Sequence, residues 1–167
     1  MASLPPQPQR ASNDDIWLHH ALFKNEITPL GKIHPKFFEN KFKKPRNTEP
    51  WALEISGRLH SLARDIESFA TRRAELLIKE GSRKNASFLG IIYQNILKIR
   101  NIDDKVYDVF HKPTYTDYAH SNLVRMTDFP IINGVIPHAI IRNLTSNFLV
   151  ALVGSSNLRR LVAPKKV

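Results

Sequence analysis

Apolar residues recur at Ile55, Leu59, Leu62, Ile66, Phe69 and Leu76, stepping by four, three, four and three before a gap at Arg73, while Ala63, Ala70 and Leu77 repeat every seven. That spacing puts the apolar side chains on one face of a helix with 3.6 residues per turn. It predicts a long helix over 48–80. Thr48 and the Glu49-Pro50 pair suit its first turn, and Gly81 is placed to take the left-handed C′ position. The short turn over 82–85 then favours an antiparallel return. Phe88, Ile92, Ile96 and Ile99 line one face of a second helix over 86–100, which Leu89, Tyr93 and Leu97 widen.

Weaker signals flank this hairpin. Ser12 before Asn13, Asp14 and Asp15 resembles a cap, so a short helix is expected over 13–25, with Trp17, Ala21 and Phe23 docked on the core. A second short helix is expected over 103–111 and a third over 138–153, the latter stopped by Gly154. Residues 112–130 read as a tyrosine-bearing loop around Tyr115, Tyr118 and His120. Between Pro130 and Pro137, Asn133-Gly134 stands among β-branched residues and predicts a minor β-hairpin at 131–136, because both turn positions need positive φ. The fold class expected is therefore mainly α: one helical domain over 13–153, a proline-rich arm over 1–12 and a basic tail over 154–167.

Charge changes this picture by being placed unevenly. Residues 1–50 hold 8 Lys and Arg against 5 Asp and Glu, residues 51–128 hold 12 against 10, and the acid-free remainder holds 5 cations. A nearly neutral body thus carries basic ends, within a net charge of +10. The segment 31–50 interleaves Lys32, Lys36, Lys41, Lys43, Lys44 and Arg46 with Phe37, Phe38 and Phe42. Such a strap either anchors its phenylalanines in its own domain, leaving the lysines solvated, or offers them to bases while the cations meet phosphates. Arg159, Arg160, Lys165 and Lys166 in the tail, with Arg83 and Lys84 in the inter-helix turn, complete the candidate anion-binding set.

Catalytic chemistry has no comparable support. The chain has no cysteine, which removes disulfides, thiolate metal sites and cysteine nucleophiles. His19 and His20 are adjacent and, on a helix, would point roughly 100° apart, too divergent to share a metal. Asp14-Asp15 and Asp103-Asp104 are explained by helix-dipole complementation. No phosphate-binding glycine loop, nucleophile elbow or zinc-protease pattern occurs. A non-enzymatic protein without cofactor or metal is expected.

No apolar run approaches the roughly 20 residues that cross a bilayer. Residues 1–13 lack acids, as organellar presequences do, but Pro5, Pro6 and Pro8 break the amphipathic helix such a signal needs. An intracellular, non-secreted protein is expected, with a mitochondrial location left open. The leading functional expectation is an RNA-contacting accessory protein of a ribosome or similar ribonucleoprotein, partnered by RNA and neighbouring proteins. The alternative is a microtubule-associated or axonemal scaffold whose basic arms lie on tubulin or another acidic protein surface.

Overall fold

The computed structural model describes residues 7–42, 53–81 and 85–163. Its centre is a seven-stranded antiparallel sheet in the order β1-β5-β6-β3-β2-β4-β7. The strands are β1 (Gln9–Arg10), β2 (Ile16–Ala21), β3 (Glu54–Leu59), β4 (Gly90–Asn95), β5 (Tyr107–His111), β6 (His120–Arg125) and β7 (Leu149–Leu152). The α-helices are short: α1 (Phe37–Phe42), α2 (Ile66–Lys79), α3 (Ile96–Arg100), α4 (His138–Ser146) and α5 (Ser156–Val162).

The mainly helical expectation is thus overturned, and the long helical hairpin does not exist. Among the described residues of the span expected as the first long helix, Glu54–Leu59 forms β3, and only Ile66–Lys79 is helical. Ile55 and Leu59 share a face at spacing four in a strand as well as in a helix, because four is a multiple of two and lies close to 3.6. Gly57, which disfavours a helix interior by about 1 kcal/mol relative to Ala, sits between them. The second expected helix is strand β4 followed by one turn and a half of α3, capped by Asn95, whose side chain accepts from Leu97 N at 3.0 Å. Strand β4 hides its period because Ile91 packs on one face and Ile92 on the other, both fully buried. A strand covered on both sides loses the apolar–polar alternation that identifies it.

The flanking helices fare similarly. The helix expected over 13–25 is strand β2, paired over its whole length with β4. Over 103–111 the chain makes a left-handed turn, with Asp103, Asp104 and Lys105 all at positive φ, and then β5. The aspartates therefore mark a turn that Asp tolerates better than most residues, not a helix start. The loop expected over 112–130 contains β6, and the helix expected over 138–153 ends at Ser146 and gives way to edge strand β7. The arm over 1–12 supplies edge strand β1, whose Arg10 pairs with Phe110, and the tail over 154–167 begins with α5. Two local signals are present as expected: Gly81 follows α2 at φ 72°, and Asn133 and Gly134 form a positive-φ turn closed by the single bridge Ile132↔Val135.

Two layers of helix cover the sheet. On the front face Trp17, Ile55, Leu59, Ile92 and Leu123 meet Phe37, Phe38 and Phe42 of α1 and Ile141 and Leu144 of α4. On the back face Leu18, Ile91 and Ala151 meet Ile66 of α2 and Leu158 and Leu161 of α5. Strand β2 is the seam, since Trp17 and Leu18 are both fully buried on opposite sides. At the far edge, buried Arg100 ties β1 to β5: it donates to Asp108 Oδ1 at 2.7 Å and to the Ala11 carbonyl. Burial alone would raise the Asp108 carboxyl, but hydrogen bonds from Arg100 and Arg10 hold it below the usual carboxylate range. Among the described residues no helix is long and apolar enough to cross a membrane.

Candidate functional site

Strands β2 and β3 pair only at Trp17↔Leu59 and Leu18↔Arg58, although β2 continues along β4 to Ala21 and β3 along β6 to Glu54. The sheet therefore splits between its two central strands. The Trp17 indole lies against the backbone of Gly57 at this point: a Cβ there would sit 2.5 Å from two indole atoms and 2.6 Å from the Leu18 carbonyl oxygen. Beyond it opens a cleft of about 550 Å³. One wall is His19 and His20 of β2, the other Ser56, Gly57 and Arg58 of β3.

Arg58 organises the back-face side. Its side chain is 7% exposed and donates from Nε and Nη2 to the two oxygens of Asp117, at 3.0 and 2.9 Å, in the bidentate geometry that makes such pairs strong. Nη2 also reaches Asp65 at 3.3 Å, and the guanidinium lies 3.9 Å from the Phe69 ring centroid. Asp117 holds the loop between β5 and β6 onto this arginine, and Thr114 staples that loop by accepting from Asp117 N at 3.0 Å. Burial alone would raise the Asp65 carboxyl, but hydrogen bonds from Arg72 and Arg58 hold it below the usual carboxylate range.

The two histidines alternate across the sheet as strand residues must. His19 packs edge-on to Phe37 in front and His20 lies 5.2 Å from Phe69 behind, so the pair diverges more than a helix would make it. Burial lowers the pKa of each to about 3, reinforced by Lys41 for His19 and by His19 and Arg58 for His20. Both are neutral at ordinary pH, and each neutral ring is one donor and one acceptor. Glu26 ends the front wall. It accepts from Leu22 N and Phe23 N through Oε1 and ion-pairs through Oε2 with Lys41 at 3.0 Å.

Buried polar atoms in native proteins are almost always paired, and an unpaired one costs about 1–3 kcal/mol. His19 Nδ1, His20 Nε2 and Arg58 Nη1 are buried without a hydrogen-bond partner, and all three residues line this cleft. Among the described residues no group of three or more His, Cys, Asp or Glu is placed to hold a metal.

A second hollow of about 550 Å³ adjoins the first and shares Arg58, Phe69, Arg73, Thr116 and Asp117 with it. Arg64, Arg72 and Tyr118 also line it. Arg72 pairs with Asp65 at 2.9 Å, whereas Arg64 and Arg73 have no ion-pair partner among the described residues. Four arginines thus face two aspartates, and Tyr115 and Tyr118 on the neighbouring loop are 63% and 64% exposed.

Of the cations expected from sequence to bind anions, Lys41 alone among the described residues lines the cleft. Phe37, Phe38 and Phe42 are buried to 1% exposure or less in the protein's own core, which leaves no ring face for a base. Lys32 and Lys36 are exposed on the front-face side, and Lys41 is committed to Glu26. Arg159 and Arg160 are exposed on α5, which packs on the back face with α2. The strap and tail cations that are described therefore lie on opposite sides of the sheet. Lys43, Lys44, Arg46, Arg83, Lys84, Lys165 and Lys166 fall outside the described residues. Sequence reasoning missed Arg58, Arg64, Arg72, Arg73 and Asp117, for which the adjacent Arg72-Arg73 pair and the tyrosine loop were the available signals. No family model matches the chain, no curated protein matches its sequence and no solved structure matches its fold, so the cleft's own chemistry carries the functional reading.

Proposed function

We propose that the protein is a non-enzymatic, RNA-contacting subunit of a ribosome or similar ribonucleoprotein, and that it grips unpaired nucleotides along the groove between α2 and the tyrosine loop. The observation that carries this reading is the group Arg64, Arg72, Arg73 and Tyr118 around one hollow, with Tyr115 exposed on the same loop as Tyr118. Single-stranded RNA is held by cations that track its phosphates and aromatic faces on which its bases stack, at about 1–3 kcal/mol per base. Exposed tyrosines beside arginines whose charge is only half neutralised meet both needs. Arg159 and Arg160 extend the positive surface on the same side of the sheet.

Fluorescence anisotropy with a labelled single-stranded RNA, repeated across a salt series, tests the proposal. Replacing Arg64, Arg72 and Arg73 together by alanine is expected to flatten the log–log salt slope by about 2, at roughly 0.7 for each phosphate that is no longer neutralised. Replacing Tyr115 and Tyr118 by alanine is expected to weaken binding with the slope unchanged. Folded protein that shows no RNA binding at low salt, or binding indifferent to both variants, overturns the reading.

A further inference from the structure

The groove explains exposed charge and aromatic surface but leaves the split between β2 and β3 unused. We propose that this split is a pocket for one nucleotide, taking a base between its walls and the attached phosphate at Arg73. This deepens the RNA-contact reading and rests on it.

Three observations converge. The cleft volume of about 550 Å³ falls in the range of small-ligand sites. Its polar lining includes three buried groups left without partners: His19 Nδ1, His20 Nε2 and Arg58 Nη1. An inventory of imidazole donors and acceptors with a guanidinium donor suits a ligand edge that also mixes donors and acceptors, as the edge of a nucleobase does. Leu22, Phe23 and Leu77 line the cleft with apolar surface for a flat ring, and Arg73 lines both this cleft and the groove outside it. An RNA strand lying in the groove would thus have its phosphate over Arg73 and one base turned inward.

A divalent cation fits less well. A metal needs each imidazole nitrogen within about 2 Å of one point, which rings on opposite sides of the sheet do not supply, whereas a base in the split is wide enough to meet both; Glu26, the remaining ligand type on the front side, already serves two backbone N–H groups and Lys41. A plain anion fits less well too, because both imidazoles are neutral and Arg58 is already neutralised by Asp117.

Histidine-ring NMR on ¹⁵N-labelled full-length protein tests the pocket, with His19→Gln and His20→Gln assigning the signals. Titration with AMP, GMP, CMP and UMP is expected to shift both rings saturably for at least one of them, while ribose 5-phosphate leaves them unmoved. Leu77→Trp, at the helix-side rim and remote from both imidazoles in sequence, is expected to lower that nucleotide's affinity at least tenfold in a protein whose circular dichroism is unchanged. A single-stranded RNA and the same strand with abasic positions separate the sources of the ligand. Ring shifts with RNA but with no mononucleotide support the pocket as a reader of nucleotides within a strand; shifts with mononucleotides and no RNA binding support it as a free-nucleotide site and defeat the RNA reading. If RNA binds but the rings stay still and the abasic strand binds as tightly, the pocket is refuted and the groove stands. If nothing binds, both fall.

Discussion

Asp117 supports both the loop and the charge of Arg58, so Asp117→Asn tests how the cleft is held together. The substitution keeps the shape and one acceptor oxygen but leaves the guanidinium without its bidentate carboxylate. Arg58 and Asp117 side chains are 7% and 10% exposed, so water cannot easily replace the lost charge. Removing one member of a buried pair costs about 3–5 kcal/mol. Asp65 remains at 3.3 Å and is 42% exposed, which compensates in part. The expected loss is therefore about 2–3 kcal/mol, at or just below the low end of that range, or a fall in Tm of about 4–12 °C for a domain of this size. Urea denaturation followed by the fluorescence of Trp17, which is fully buried at the seam, measures it. The Arg58→Met, Asp117→Leu double variant is expected to recover most of the loss, since an apolar pair needs no compensating charge. A single-variant loss under about 0.5 kcal/mol, the usual scale of a surface pair, would refute the view that Arg58 is a desolvated anchor.

Stability should also depend on the buried histidines. Their folded-state values of about 3 lie below the ordinary 6.5, so the unfolded chain binds more protons below pH 6.5. Their contribution is complete above that pH and drains as the pH falls toward 3. Between pH 7.5 and 5.5 the two together are expected to cost about 2–3 kcal/mol, and urea midpoints for the His19→Gln, His20→Gln double variant should vary less over the same interval. Gly57→Ala is expected to destabilise by about 1–3 kcal/mol, because its Cβ would meet the Trp17 ring and the Leu18 carbonyl at 2.5–2.6 Å. An unchanged unfolding midpoint would mean that β3 retreats freely from β2.

Local chemistry was legible where a residue's own conformational preference decides the outcome. Gly81 closes α2 and Asn133-Gly134 makes its turn because positive φ favours these residues whatever lies around them. The strap's phenylalanines could be assigned to core or partner only as alternatives, and their burial chose the core. The strands were not legible because their signal depends on what covers them. In β2 and β4 both faces are buried, and in β3 the apolar spacing of four runs on into Leu62 and Ile66, so a strand, a turn and a helix imitate one continuous helical stripe.

The candidate site was hidden for a different reason. His19, His20, Arg58, Phe69, Arg73 and Asp117 come from β2, β3, α2 and a loop, and no window of sequence contains them together. The sequence by itself determined the charge surplus, the lack of thiol chemistry and the turns, all properties of single residues or near neighbours. The tertiary structure alone decided that β2 and β3 part beside Trp17, that Arg58 is buried against Asp117, and that the arginines of α2 stand beside exposed tyrosines. Those are consequences of pairing between distant segments, whose free energy comes from burial and desolvation that no local pattern records.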